Sequence, residues 1–284
     1  RLKAKGACFG EAGGWERANW FAPDGVDPVY EYSYKRQNWF EHSAREHMAV
    51  REKVGLLDQS SFAKFLLQGR DAEAVLNRVA ANDMSVPVGK VVYTQWLNER
   101  GGIEADLTVT RIAEESFMVV TSFSSAVRDF NRLQRLIPGD AHAILTDVGS
   151  GMAMIGLMGP NSRDLLQSLT ASDLSHEAFP FATSKEIELG YAMVRASRIT
   201  YVGELGWELY IPAEFATGVY DALVQAGADF NLQNVGMHAM NSLRMEKAYR
   251  HWGHDIADED TPVEAGLGFA VAWDKPGGFI GKEA

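Results

Sequence analysis

The residue best placed by sequence to bind a polar ligand is Glu204, which lies in the run G-E-L-G at 203–206. Alternating residues flank this run and glycines stand where the chain must turn, so the pattern predicts a β-hairpin. A carboxylate at such a turn has little steric cover and can accept two adjacent N–H donors of a ligand. A solvated turn has the same pattern, so the rest of the chain decides between the two interpretations.

A second carboxylate that could take part in chemistry is Asp106. It follows the glycine turn at 98–102, and alternation along the next strand puts Glu104, Asp106 and Thr108 on one face. If that face lines a cavity, Asp106 is a half-buried carboxylate, which is costly unless a partner or a reaction needs it. An exposed strand face is the alternative. Tyr93, in the partner strand, is expected to project near the same place.

Two further stretches have patterns that are typical of structural roles. Residues 238–247 form a Met-rich helical pattern, in which Arg244 is most simply a surface or ion-paired residue. Residues 252–256 contain a neighbouring His and Asp but not the further ligands that a metal needs, so we expect no metal site. The chain has no phosphate-binding loop and no dinucleotide-binding fingerprint.

Strands and helices must position these residues, and the hydrophobic pattern predicts two α+β units. The first, from about 62 to 136, has the order strand, helix, three strands, helix, and forms an antiparallel sheet covered on one face. The second, from about 153 to 249, has a similar element order and contains the hairpin of Glu204. Residues 1–40 have no clear period but many aromatic rings, so we expect this arm to pack onto the body.

Composition limits the classes of function. The formal net charge of −11 over 284 residues argues against a nucleic-acid-binding surface, because phosphate contacts need an excess of Lys and Arg. The single cysteine, Cys8, excludes an internal disulfide framework and fits a reducing compartment. We find neither a membrane-span pattern nor a signal-peptide pattern, and we expect a cytoplasmic protein, or a mitochondrial matrix protein in a eukaryote. Both ends stop within a pattern, so we expect a fragment of a longer chain.

Four stretches taken together resemble the tetrahydrofolate-dependent aminomethyltransferase family, which includes the T-protein of the glycine cleavage system. They are G-G-I-E-A-D-L, Y-V-G-E-L-G-W-E-L, N-S-L-R-M-E-K and T-P-V-E-A-G-L, in the family's order, with F-I-G-K-E-A closing the chain. The opening F-G-E-A-G-G-W-E-R-A-N-W-F is similar to dimethylglycine and sarcosine dehydrogenases, which are flavoproteins with a T-protein-like half. The stretch around Met240 and Asn241 is also closer to that branch, since T-protein has an Arg-Asp pair there.

The resemblance implies an α+β fold with two T-protein-like lobes around a central folate-binding hole, one of them ferredoxin-like and inserted. The implied domains are an arm (1–40) after a missing flavin domain, a folate-binding lobe (41–62 and 147–284) and the inserted ferredoxin-like lobe (63–146). The family's usual C-terminal barrel is expected to be absent from this chain.

The resemblance also implies roles for individual residues. Glu204 is expected to accept the paired N–H donors of the pterin ring. Asp106 is expected to lie beside the reacting nitrogen of tetrahydrofolate and to orient it or assist its proton transfer. The other expected cofactor-binding residues are Tyr93, Thr121, Tyr201 and Arg244.

The implied function is tetrahydrofolate binding and one-carbon transfer within a flavin-dependent N-methyl amine dehydrogenase of the dimethylglycine or sarcosine type, forming 5,10-methylene-tetrahydrofolate. The expected partners are folate and a methylated amine, with no nucleic acid and no membrane, and FAD is expected only in the missing upstream domain. Two alternatives stay open: a stand-alone aminomethyltransferase or folate-dependent demethylase, and a non-catalytic folate-binding module.

Overall fold

The computed structural model describes all residues, 1–284, and has a mixed α+β fold. The strands are β1 (Ala7–Ala12), β2 (Trp15–Phe21), β3 (Val54–Asp58), β4 (Ala63–Gln68), β5 (Val91–Leu97), β6 (Ile103–Ala113), β7 (Ser116–Thr121), β8 (Ile144–Asp147), β9 (Met152–Met158), β10 (Ser184–Leu189), β11 (Ala192–Ser197), β12 (Gly206–Pro212) and β13 (Leu232–Val235). The helices are α1 (Phe40–Glu52), α2 (Ala72–Val79), α3 (Ala126–Leu136), α4 (Ser162–Gln167), α5 (Ala216–Gly227) and α6 (Met237–Glu246). No helix is long and apolar enough to cross a membrane.

The chain divides into two compact units. The first contains residues 1–61, 151–181 and 185–249, and the second contains residues 62–150, 182–184 and 250–284. The sequence assigned 250–284 to the folate-binding lobe, whereas the structure groups this segment with the second unit. The reason is packing, because Leu267 and Phe279 share a buried apolar cluster with Leu97 and Ile103.

A six-stranded sheet forms the centre of the first unit. Its order is β10-β11-β12-β9-β3-β13; β11, β12, β9 and β3 pair antiparallel in that order, and β13 pairs parallel with β3. Alternation along β12 separates the two faces of this sheet. Trp207 and Leu209 belong to a core cluster that includes buried residues of α4 and α5. On the side of α6, Leu57 and Met158 pack with Leu243.

The N-terminal arm begins with a hairpin that the sequence did not predict. Strands β1 and β2 pair antiparallel, with a register shift between Cys8 and Phe9. Such a bulge interrupts the period-two alternation by which a strand is recognised in sequence. The expected packing of the arm is confirmed: Trp20 is fully buried, and the carboxylate of Glu46 accepts the N–H of Phe21 at 2.7 Å.

The second unit is built on a five-stranded antiparallel sheet in the order β5-β6-β7-β4-β8. Helix α2 connects β4 to the β5–β6 hairpin, and α3 connects β7 to β8, which gives the β-α-β-β-α-β order of a ferredoxin-like fold with β5 added at one edge. One face of the sheet carries Phe65 and Phe117, which share a buried cluster with Leu76 of α2 and Leu133 of α3. The opposite face carries the polar residues described below.

Candidate functional site

Glu204 lies in the connection between β11 and β12, as the hairpin pattern predicts. The two strands pair antiparallel, with Ser197 opposite Glu208. The connection is longer than the glycine-flanked run at 203–206, because β11 already ends at Ser197. The next residue, the buried Arg198, donates to the carbonyl of Phe179 at 2.6 Å. This hydrogen bond lies outside the pairing of β11 with β12.

Only one of the two glycines beside Glu204 has a backbone that favours glycine. Gly203 has a φ of +74°, and an added Cβ would meet the side chain of Lys247 at 2.3 Å. Gly206 is instead the first residue of β12, opposite Met158. The positive φ that a glycine turn requires is therefore found at Gly203, while Gly206 allows close approach to the neighbouring strand.

The carboxylate of Glu204 is paired with Arg51 of α1, a residue that the sequence did not single out. Arg51 Nη1 donates to Glu204 Oε1 at 2.9 Å and to the carbonyl of Val202 at 2.6 Å. Arg51 Nη2 donates to the carbonyl of Leu243 at 2.9 Å and to Glu246 Oε2 at 3.1 Å. One guanidinium thus joins the Glu204 connection to the C-terminal turn of α6 and balances two carboxylates.

Lys247 is a second cation near Glu204, and it interacts more weakly. Its Nζ lies 3.9 Å from Glu204 Oε1, and its side chain is 42% exposed, whereas that of Glu204 is 21% exposed. Both cations contact Oε1. A carboxylate offers about four acceptor positions, so these contacts leave Glu204 with capacity for further N–H donors.

Tyr201 and Arg244 lie near the same end of α6. The ring of Tyr201 stacks on that of Tyr249, with 6.3 Å between the ring centroids. Arg244 is 5% exposed and donates to the carbonyl of Tyr249 at 3.1 Å and to Asn241 Oδ1 at 2.8 Å. Arg244 therefore holds the backbone of Tyr249, the residue on which Tyr201 stacks.

Asp106 occupies the polar face of the sheet in the second unit. The predicted alternation is present along β6: Ile103, Ala105 and Leu107 are buried, and the intervening residues are half-buried. Gln95 lies directly opposite Asp106 on β5 and donates from Nε2 to Asp106 Oδ1 at 2.9 Å. A carboxylate held by a neighbouring amide in this way has a fixed orientation.

Burial raises the pKa of Asp106 to about 6, although hydrogen bonds from Tyr93 and Gln95 act in the opposite direction. Both donors are neutral, so the ionised carboxylate is hydrogen-bonded but has no cationic partner in this set. A carboxyl group with a pKa near 6 can accept or release a proton close to neutral pH. Asp106 thus has the chemical properties of a general acid or base.

Tyr93 shares the face of Asp106. It lies opposite Thr108, one pair further along the β5–β6 ladder, and the centroid of its ring is 6.1 Å from that of Phe269. Phe269 is 78% exposed. The predicted proximity of Tyr93 and Asp106 is present in the structure, and an exposed aromatic ring accompanies them.

Thr121 lies on the other face of this sheet. Thr108 pairs with Val120, so Val120 shares the face of Asp106, and the next residue points to the opposite face. Thr121 Oγ1 donates to Asp129 Oδ2 of α3 at 2.7 Å. The structure therefore does not bring Thr121 together with Asp106, because its hydroxyl joins β7 to α3.

Glu208 is a further buried carboxyl group that the sequence did not indicate. The hydroxyl of Tyr210 donates to Glu208 Oε2 at 2.7 Å, and burial raises the pKa of Glu208 to about 7. Its only sequence signal is an acidic residue at a strand position between the buried residues Trp207 and Leu209. No group of three or more His, Cys, Asp or Glu side chains could hold a metal ion.

Comparison with known proteins gives the family. The family model described as the GCVT N-terminal domain matches residues 1–275. The chain belongs to this family. The crystal structure of the glycine cleavage system aminomethyltransferase T from Bartonella henselae superposes with a TM-score of 0.82 and 26% identity, covering 99% of this chain and 70% of that one.

Curated relatives of this GCVT-family chain include 4-methylaminobutanoate oxidase (formaldehyde-forming) from Paenarthrobacter nicotinovorans. It is 46% identical in an alignment that covers the whole of this chain and 34% of the relative. Mitochondrial dimethylglycine dehydrogenase of Homo sapiens is 36% identical over the whole chain and 33% of the relative. The mitochondrial pyruvate dehydrogenase phosphatase regulatory subunit of Mus musculus is 34% identical, with the same coverage. The chain therefore spans about a third of the length of these relatives.

Proposed function

We propose that this chain is the tetrahydrofolate-binding, one-carbon transfer part of a flavin-dependent N-methyl amine dehydrogenase. The observation that carries the proposal is Asp106, a carboxyl group with a pKa of about 6 that two neutral donors hold in place within a GCVT-family chain. The oxidase and dehydrogenase names of the relatives support the amine-oxidising class. We assign oxidation of the amine, and binding of the flavin that oxidises it, to other parts of the full-length protein.

The available residues fit a ligand that is rich in N–H donors, as tetrahydrofolate is. Glu204 and Asp106 accept hydrogen bonds, and Gln95 adds a buried carbonyl oxygen, Oε1, that has no partner. An unpaired buried acceptor is costly, and an N–H donor from a ligand removes that cost. The hydrogen-bond acceptors of these side chains therefore match the N–H donors of a reduced pteridine.

Each carboxylate has its own proposed role. When bound, tetrahydrofolate supplies the nucleophilic nitrogen that takes up the one-carbon unit, giving 5,10-methylene-tetrahydrofolate and the demethylated amine. Glu204, paired with Arg51, binds the paired N–H groups of the pterin. Both nitrogens lose their N–H proton as they become bonded to the carbon: one proton goes to the leaving amine and Asp106 accepts the other, while Tyr93 and Gln95 stabilise the ionised carboxylate. Tyr201, stacked on Tyr249, offers an aromatic surface, and Arg244 supports it.

Titration of the chain with tetrahydrofolate by calorimetry tests this proposal. Glu204→Ala is expected to weaken binding roughly tenfold or more, since hydrogen bonds to a charged group contribute about 1.5–3 kcal/mol. The matched control is Glu246→Ala, which removes the other carboxylate bound by Arg51 with the same change of charge. Equal affinities of wild type and Glu204→Ala would refute the pterin-binding role.

A second candidate is a stand-alone aminomethyltransferase, which the close superposition on the Bartonella henselae protein favours. The two candidates differ in whether a flavin is part of the native protein. Flavin absorbance of the purified full-length protein supports the dehydrogenase; a flavin-free protein that still transfers a one-carbon unit supports the aminomethyltransferase.

The name of the regulatory-subunit relative favours a third candidate, a non-catalytic module. For such a module the expected result is binding of tetrahydrofolate without transfer of a one-carbon unit.

A further inference from the structure

Gln95 combines two properties that are rarely found in one buried side chain. Gln95 is fully buried, and its amide nitrogen donates to Asp106 Oδ1 at 2.9 Å. Its carbonyl oxygen Oε1 has no hydrogen-bond partner. Most buried side-chain polar atoms have a partner, so an exception calls for an explanation such as a ligand or an ordered water.

The orientation of the amide follows from the charge of its neighbour. An ionised carboxylate only accepts hydrogen bonds, so the nitrogen of Gln95 must face Asp106 and the oxygen must face elsewhere. Gln95 and Asp106 are directly opposed across the β5–β6 ladder, which places their Cβ atoms about 4.5–5.5 Å apart. The open acceptor is thus a close neighbour of the carboxylate that we assign to proton transfer.

The other residues on this face leave that pairing intact. Tyr93 and Thr108 occupy the neighbouring pair of the ladder, and Glu104 lies two residues from Asp106 on β6. Lys64 of β4 shares the face, because it and Thr108 both pair with Val120, and Lys64 is fully buried. Of the residues on this face, Gln95 and Tyr93 donate hydrogen bonds to Asp106.

We propose that Gln95 is a positioning residue for Asp106 and that its carbonyl oxygen accepts an N–H from one of the two tetrahydrofolate nitrogens that receive the one-carbon unit. This inference rests on the proposed function. The amide then contacts both the carboxylate and the ligand: Nε2 holds Asp106, and Oε1 accepts the N–H of one nitrogen while Asp106 accepts the proton of the other. Substitution of Gln95 should therefore affect Asp106 and the ligand separately.

Ligand binding tests the acceptor part. Tetrahydrofolate, 5-formyl-tetrahydrofolate and 10-formyl-tetrahydrofolate are titrated into the wild-type chain and into Gln95→Met, which has a similar shape and no amide. Gln95→Met is expected to bind tetrahydrofolate roughly tenfold more weakly. It should match the wild type for the formyl analogue that lacks the bonded N–H. Equal weakening for all three ligands, or for none, would overturn the acceptor role, and a buried water would give the latter result.

Carbon-13 NMR of labelled aspartate carboxyl groups tests the positioning part, with the signal assigned by its loss in Asp106→Asn. Removal of a donor that favours the ionised form should raise the pKa of Asp106 above its value of about 6. An unchanged or lower pKa in Gln95→Met would overturn the positioning role. This readout does not depend on folate, so wild type that fails to bind tetrahydrofolate would refute the proposed function and the acceptor role without affecting the test of positioning.

Thr94→Val is the matched control for both measurements. Thr94 precedes Gln95 on β5, is also fully buried and points to the opposite face. Its hydroxyl accepts the N–H of Asn82 at 2.9 Å and donates to the backbone carbonyl of Gln95 at 3.3 Å, so the variant loses hydrogen bonds of the same strand but keeps the Gln95 amide and its bond to Asp106. It is expected to leave the pKa of Asp106 and all three affinities at their wild-type values. A change as large as that of Gln95→Met would mean that general loosening of the sheet explains both.

Discussion

The connection at 198–205 and the polar face of the β5–β6 ladder each contain a carboxylate with a proposed role, Glu204 and Asp106, and these two groups are surrounded by opposite kinds of partner. Glu204 contacts two cations, Arg51 at 2.9 Å and Lys247 at 3.9 Å. Asp106 is held by the neutral donors Tyr93 and Gln95, and burial raises its pKa. Cationic partners orient a carboxylate and balance its charge, which suits recognition, whereas desolvation brings the pKa of Asp106 towards neutrality, which suits proton transfer.

The largest expected effect is a loss of the rate of one-carbon transfer when Asp106 is replaced. Asp106→Asn keeps the shape and removes the titrating group, so the full-length protein is expected to form 5,10-methylene-tetrahydrofolate roughly 10²–10⁴-fold more slowly, the range for general acid–base catalysis. The measurement is single-turnover product formation. Glu204→Gln, measured beside it at saturating folate, is expected to retain most of the rate. A normal rate in Asp106→Asn would remove this residue from the mechanism.

Stability should respond to the two carboxylates with opposite signs. The folded-state pKa of Asp106 is raised to about 6, so its favourable contribution is full below pH ~4 and is lost as pH rises through ~6. Asp106→Asn avoids this loss and is expected to be about 1–3 kcal/mol more stable than wild type at pH 7, with little difference near pH 4. Glu204→Gln is expected to be less stable by about 1–2 kcal/mol, because Arg51 loses a partly buried partner.

Urea unfolding of both variants and the wild type at pH 4, 6 and 7 measures these differences. Glu46 and Glu208 also have pKa values raised to about 7 by burial, so each of them also contributes a pH-dependent change of stability in every form. The comparison therefore uses the difference between variant and wild type at each pH. A pH-independent difference for Asp106→Asn would contradict the raised pKa.

The smallest effect is expected at Lys247. Its contact with Glu204 is long and its side chain is 42% exposed, so the pair should contribute less than about 0.5 kcal/mol. Lys247→Met retains the aliphatic stem beside Gly203 and should change tetrahydrofolate affinity less than about twofold. Arg51→Met, in the same calorimetric titration, should have the larger effect. The reverse order would show that Lys247 is the main partner of Glu204.

Much of the local structure was predictable because it depends on neighbours in sequence. Alternation along Ile103 to Thr110 indicated the buried and polar faces of β6, and the glycine turns indicated both hairpins. The predicted order of strand, helix, three strands and helix from about 62 to 136 matches β4 to α3. The main local misses were the β1–β2 hairpin, whose bulge interrupts the alternation, and the early end of β11, which coincides with the interaction of Arg198 with Phe179.

The sequence by itself determined the family, the α+β pattern, and the two carboxylates with the strand or turn that carries each. Only the tertiary structure decided which partners surround them. Arg51 reaches Glu204 from a distant helix, Gln95 faces Asp106 through strand register, and Thr121 turns towards α3. The physical reason is range: alternation and turn chemistry act between adjacent residues, whereas ion pairs, desolvation and the covered face of a sheet depend on segments far apart in the chain.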